Sequence, residues 1–464
     1  MITRKRIKFS ESHVVSIWEQ MVGKGLTSNE EETVVVIYPG RANGDKGPDF
    51  RDAVILDNSK LMKGDVEMHF RSSNWYSHGH HTDAEYNNVI LHVVMSNDCD
   101  STTLLQSGNT VPVLCLAEAL PYQACLLPYQ LPCLRILDFM DRKALKKLIS
   151  TAGEERFRKK AMYFRAEILK PRFSNLSIGK EAGQVLFRGM MRALGYAKNT
   201  EAFEDLADRM PLNYIESRKE LTLKQALLLG TAGLLPSQRC QVKYDHEKEV
   251  QELEQLWQSA GKKVKTMTED DWNLSHIYPN NFPVRRIIAQ SYLLERYSKG
   301  RLVERLLKLV EEASIPDGNL VLRNGMTVTG DGYWRDHFDF GLRSKTRVSA
   351  LLGNSKVDEI VVNIILPFAF SWGELANDAK LMVNAMELYR NYPKLAENCI
   401  TRHMKRQFCL GESLNLTACH QQGLIHIFRN YCREGRCTQC PLVKWSGSWD
   451  SDKLLKTGYH KIEG

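Results

Sequence analysis

From Gly64 the chain reads Gly-Asp-Val-Glu-Met-His-Phe, with polar side chains at 65, 67 and 69 and apolar ones at 66, 68 and 70. Strand side chains alternate between faces, so this run predicts a β-strand with Asp65, Glu67 and His69 on one side. Val66, Met68 and Phe70 would then turn to a core. A strand that gives three consecutive same-face positions to Asp, Glu and His loses apolar burial there. Two readings account for that loss. The polar face meets water, or it holds a divalent metal, for which paired carboxylates are the usual device. Upstream, Gly47-Pro48-Asp49-Phe50 sets a further carboxylate at the mouth of the preceding strand candidate.

The flanking segments supply a sheet for this strand. Thr33–Pro39, Ala53–Asp57, Val89–Met95 and Val111–Leu116 are rich in β-branched and apolar residues, as strands are. Before them, Val14, Val15, Ile17, Trp18 and Met21 recur at helical spacing. After the acidic strand comes Trp75-Tyr76-Ser77-His78-Gly79-His80-His81-Thr82-Asp83, so four of the 13 histidines fall between His69 and His81. Histidine at that density beside carboxylates suggests a site. No spacing fits a helical HExxH pair, and the stretch reads as a loop in which His78, His80 and His81 contact substrate or a metal. Trp75 and Tyr76 could stack on an unpaired base or pin the loop to the core. His92, between Leu91 and Val93, reads as a hydrogen-bonded histidine within a strand.

The order helix, three strands, polar insert, further strands, with Pro48-Asp49 and Glu67-x-His69, resembles the PD-(D/E)xK nuclease-like superfamily. The resemblance implies a Mg²⁺ or Mn²⁺ site for phosphodiester hydrolysis, with Asp49 and Glu67 holding the ion and Asp65 assisting. His69 stands where that family has Lys, which puts cleavage in doubt more than metal binding. A Lys carries a fixed positive charge beside the phosphate, whereas His carries one only when protonated. The segment Gly64–Val94 also resembles the DUF2851 family of uncharacterised bacterial proteins, as do Asn281-Phe282-Pro283 with Arg285 and Arg286, and Gln421-Gln422-Gly423-Leu424. Kinship of that kind implies no activity.

The net charge of +8 is unevenly spread. Between Asp141 and Arg172 there are eleven Lys or Arg against four Asp or Glu. The segment reads as two helices whose solvated faces, including Lys159 and Lys160, could track a phosphate backbone. Ordinary surface charge on good helix formers is the alternative. Helical periodicity dominates beyond about residue 135, with a small hairpin expected in the loop-rich stretch Gly318–Leu342. The apolar run Ile360–Phe370 contains Asn363 and Pro367, so no continuous membrane-spanning helix is expected there. With no apolar segment behind the basic N-terminus, the expectation is a cytoplasmic protein without membrane contact.

The 11 cysteines carry the second chemical signal. Without a secretion signal they argue against a disulfide framework. Cys432, Cys437 and Cys440 form a C-x4-C-x2-C-P run, compact enough for three corners of a Zn²⁺ site or an iron–sulfur cluster. Cys419, Cys409 and His426 are the candidates for the fourth corner, with Cys419 preferred because an all-sulfur set suits either centre.

The expected fold is therefore α+β: a mixed-sheet, nuclease-like domain over residues 1–130, a helical domain with basic helices over 131–310, and a helical C-terminal domain over 311–464 ending in the cysteine cluster. Two functions are compatible with it. One is a metal-dependent phosphodiesterase acting on DNA or RNA, in which Asp49, Asp65, Glu67 and His69 form the catalytic site. The other is a nucleic-acid-binding or scaffold protein that keeps the fold without the chemistry.

Overall fold

A computed structural model describes residues 11–445, apart from 28–32, 59, 100–101, 119–130, 138–139, 171–176, 241–246, 262–263, 314–315, 346–349 and 412–414. The fold is α+β, a mixed sheet followed by helices. The chain divides into two compact units rather than three consecutive domains. The first comprises residues 1–152, 397–415 and 423–464, and the second comprises 153–396 and 416–422. The C-terminal segment thus returns to the N-terminal unit, and composition along the chain gives no sign of a return.

The first unit is built on strands β1 (Gly25–Thr27), β2 (Thr33–Tyr38), β3 (Arg41–Ala42), β4 (Phe50–Asp57), β5 (Lys60–Arg71), β6 (Val89–Ser96), β7 (Thr103–Leu104), β8 (Thr110–Val111) and β9 (Val113–Cys115). The main sheet runs β1-β2-β4-β5-β6-β9, with β3 paired to β4. Its first half is antiparallel, whereas β6 runs parallel to β5 and β9 parallel to β6. The helix Glu11–Glu19 covers one face. Its Val14 and Trp18 pack with Val36, Ala53, Ile55, Val66, Met68, Leu91 and Val93, and the Trp18 indole donates to the Pro39 carbonyl at 2.9 Å. The expected alternation in β5 therefore holds for Val66 and Met68. Phe70 differs: it is half-buried and lies outside that core.

Two irregularities shape the opposite face. The β4–β5 ladder slips between Phe50 and Ala53, and the β5–β6 ladder slips at Asp65/Val66. Gly64 sits against the second slip. A Cβ there would fall 2.4 Å from Ile90 Cγ2 and 2.5 Å from the Asn88 carbonyl, so only glycine permits this approach.

The second unit packs helices around one apolar core. Three expectations are corrected here. The two helices expected between Asp141 and Arg172 are one helix, Arg142–Leu169, of 28 residues. Gly153 reads as a break in sequence, yet it serves close packing. A Cβ would lie 2.1 Å from the Cys419 carbonyl oxygen. The stretch after Gly318 opens with a helix, Gly318–Met326, before the expected hairpin His337–Asp339/Leu342–Arg343. The run around Ile360 is continuous helix, Asn354–Ala376, long and apolar enough to cross a membrane, although most of it is buried in the protein. Pro367 is absorbed because a π-helical turn, Val361–Ile365, precedes it, and the Asn363 side chain bonds the Glu359 carbonyl.

Candidate functional site

The polar face of β5 is built together with the loop ahead of β4. Gly47 adopts φ +91°, and the Asn43 side chain donates to the carbonyls of Lys46 at 3.1 Å and Pro48 at 3.0 Å. Asp49 is thereby held at the entry to β4. Its backbone N–H donates to Glu67 Oε2 at 3.0 Å, and its own Oδ2 accepts from the Met68 N–H at 3.1 Å. Beyond Phe50↔Val66 the ladder stops, so the Asp49 carboxylate takes a backbone donor that a next ladder partner would otherwise serve. The two acids end on one side of the sheet. Burial, then the Glu67 carboxylate, push Asp49 up to about 6, the behaviour of like charges sharing a small space.

Asp65 does something else. Its Oδ1 accepts from the Asp52 N–H at 3.1 Å, and Arg51 lies 3.8 Å from Oδ2. Asp52 is at φ +61° within the first slip. Asp65 therefore supports the bulge that aims Asp49, and its expected assisting role becomes one of position.

Four imidazoles complete the site. Glu67 lies beside His92 in the β5–β6 register. His92 Nδ1 is 3.0 Å from Thr103 Oγ1, His92 Nε2 is 2.9 Å from His69 Nδ1, and His69 Nε2 is 3.1 Å from His78 Nδ1. A neutral imidazole has one donor and one acceptor, so the three rings form a hydrogen-bonded file from buried Thr103 to exposed His78. Burial above all, then the neighbouring rings, press His69 down to about 2 and His92 to about 4.

His80 enters from the loop. The short helix Asn74–Ser77 ends at His78, Gly79 turns at φ +78°, and a 3₁₀ turn begins at His80. His80 Nε2 then stands 3.3 Å from Glu67 Oε1, and His69 Nε2 is 3.5 Å from the same oxygen. Ring nitrogens of His69, His78 and His80 all come within 4.8 Å of one another. Trp75 pins this loop. It is fully buried, and its indole donates to the Leu104 carbonyl at 2.9 Å, so it is not a stacking platform. The Tyr86 ring stacks on His80 at 3.9 Å.

The remaining expected site residues divide. His81 turns to the Tyr76 ring, 5.0 Å away, and lies outside the trio. Lys159 is exposed. Lys160 bonds Gln422 at 3.0 Å and Asn363, so its ammonium holds elements of its own unit together and is withdrawn from a phosphate. Cys432, Cys437 and Cys440 line one pocket as expected, together with Cys133. Cys419 is buried in the core of the second unit, Cys409 is exposed, and His426 Nδ1 stands 3.3 Å from Asn430 Nδ2. None of these three lines the pocket. The cysteine that joins the three in that pocket is thus Cys133 and not the expected Cys419; the sequence shows Cys133 only as an isolated thiol.

A family model described as "Protein of unknown function (DUF2851)" matches residues 11–398. That span includes the acidic and histidine site and Cys133, and stops before Cys432. No curated protein matches the chain, and no solved structure does.

Proposed function

The chain belongs to the DUF2851 family, whose description carries no activity, and from the site itself we propose a divalent-metal-dependent phosphodiesterase acting on DNA or RNA. The observation that carries this reading is the convergence of Asp49 and Glu67 with His80 on the polar sheet face. A buried carboxylate, Glu67, beside a half-buried one, Asp49, is costly unless a cation joins them.

The donor set has the right chemistry for a cation. Glu67 and His80, 3.3 Å apart, would hold it with Asp49, the three drawing in around the ion, since among the described residues the histidine trio alone has its donor atoms within 4.8 Å of one another. A mixed carboxylate–imidazole set moves the preference from Mg²⁺ toward Mn²⁺ or a later transition ion. When bound, the ion would lower the pKa of an attacking water and screen phosphate charge. The protein's own part is orientation: Asp65 fixes the bulge, Trp75 fixes the loop, and the file His92–His69–His78 can hand a proton outward to solvent.

His69 favours the second reading, binding without cleavage. Both its ring nitrogens are engaged by His92 and His78, so it does not replace the fixed charge of a lysine. The test is Mn²⁺ binding by calorimetry alongside cleavage of single- and double-stranded DNA and RNA. Glu67→Gln should abolish stoichiometric Mn²⁺ binding and reduce cleavage by roughly a thousandfold while the fold is kept. Cleavage unchanged in that variant would sink the reading. Mn²⁺ binding without cleavage of any substrate would decide for the second.

A further inference from the structure

Within the first unit, four cysteines from two distant stretches of chain line one small, partly open pocket. Cys133 comes from the helix Pro132–Leu137. Cys432 ends a π-helical turn, Cys437 opens a 3₁₀ turn, and Cys440 precedes the helix Pro441–Trp445. Ile37, Leu131, Phe408 and Ile427 supply apolar walls. All four cysteines are free thiols. The loop between Cys432 and Cys437 closes through Gly435, at φ +64°, whose N–H bonds the Cys432 carbonyl at 3.2 Å.

We propose that Cys133, Cys432, Cys437 and Cys440 ligate an iron–sulfur cluster that fastens the C-terminal segment to the N-terminal unit. Four thiols could instead be small buried hydrophobes, but three N–H donors are aimed at these sulfurs. Gln407 Nε2 donates to Cys133 Sγ at 3.2 Å, and the backbone N–H groups of Leu442 and Val443 donate to the Cys440 sulfur. Hydrogen bonds of this kind serve thiolate ligands and tune clusters.

Spacing selects the kind of centre. A zinc tetrahedron with Zn–S near 2.3 Å sets sulfurs about 3.8 Å apart. Among the described residues, the histidine trio is the one group of three metal-ligating side chains whose donor atoms all lie within 4.8 Å of one another. No three sulfurs of the pocket close to that distance. A cluster distributes its thiolates over different irons and holds them further apart, and C-x4-C-x2-C with a remote fourth cysteine is a spacing such clusters use. The proposal is independent of the acidic site.

The experiment is anaerobic purification of the full chain and reconstitution with ferrous iron and sulfide, followed by iron, sulfide and zinc analysis and a visible spectrum. About two to four irons per chain are expected, with matching acid-labile sulfide and thiolate-to-iron absorption. Cys133→Ser should lower both to below about a tenth of wild type, whereas Cys419→Ser and Cys409→Ser retain them. Far-UV circular dichroism establishes that each variant is folded. Wild-type protein lacking iron and sulfide overturns the proposal, as does stoichiometric zinc in their place. Full retention of the cluster by Cys133→Ser overturns the ligand set.

Discussion

The two units contain contrasting kinds of buried charge. Several buried ions of the second unit meet partners of opposite sign, while Arg285 and Arg286 lie together there and donate to backbone carbonyls. Arg239 pairs with Asp339 at 2.8 Å, Lys224 with Glu295 at 2.6 Å, and Asp358 takes Arg323 at 2.8 Å and the Tyr392 hydroxyl at 2.8 Å. On the sheet face of the first unit, carboxylate faces carboxylate and imidazole faces imidazole. Paired burial specifies a fold and leaves nothing for a ligand to do. Like groups buried together carry an unfavourable term that a cation or proton can relieve, which is why such clusters mark sites. The difference can be tested from both sides.

The largest effect belongs to the second unit. Asp358→Ala strands the Arg323 guanidinium and the buried Tyr392 hydroxyl together, and should cost about 3–5 kcal/mol in urea unfolding. A loss below about 1 kcal/mol would mean these pairs do not carry the structural weight assigned to them.

The first unit should be the acid-sensitive one. Burial presses His403 down to about 4, and Arg406 beside it adds to the effect. Its ring packs edge-on against Tyr38 at 4.9 Å, and Gln407 offsets only part of the shift. A depressed folded pKa gives stability that is whole above the unfolded value near 6.5 and is lost as pH falls toward and through 4. Going from pH 7.5 to 4.5 should therefore remove roughly 2–3 kcal/mol through this residue, and His403→Phe should abolish that share. An identical acid limb in the variant would contradict the assignment.

Gly153→Ala inverts a common rule. In an open helix interior the change stabilises by up to about 1 kcal/mol. Here the added methyl meets the Cys419 carbonyl at 2.1 Å, and a loss of about 2 kcal/mol is expected from the forced displacement. A rise in melting temperature would show that the helix accommodates the methyl without strain.

The smallest effect has the opposite sign in the first unit. Asp49→Asn can keep the acceptor for Met68 N–H while removing one of two facing charges. With metal chelated, the variant should be more stable than wild type by about 1 kcal/mol, the trade of function for stability common at sites. With Mn²⁺ present the order should reverse, and thermal unfolding in both conditions reads it.

Part of this was legible in the chain. Alternation in β5 follows from local geometry, so Glu67 and His69 could be placed on one face with Val66 and Met68 opposite. His92 could be read as a hydrogen-bonded strand histidine for the same reason. The triad Cys432, Cys437 and Cys440 is legible because ligand spacing within one turn is a property of the backbone. Local signals misled where packing overrode them. Gly153 reads as a break and is a close contact, and Pro367 reads as a stop and is absorbed by a π-turn. Lys160 reads as surface charge and is tied to Gln422.

By itself, then, the sequence determined the composition of each strand face and the contiguous cysteine run, because neighbours along a strand or turn are fixed by bond geometry. Tertiary structure alone decided which distant groups meet. Asp49 reaches Glu67 because a ladder slips. Asp65 is spent on that slip, His80 arrives on a loop held by Trp75, and Cys133 joins a segment that returns from the far end of the chain. Such meetings depend on how hydrogen-bond registers and apolar cores are completed together, a condition on the whole fold that no local window contains.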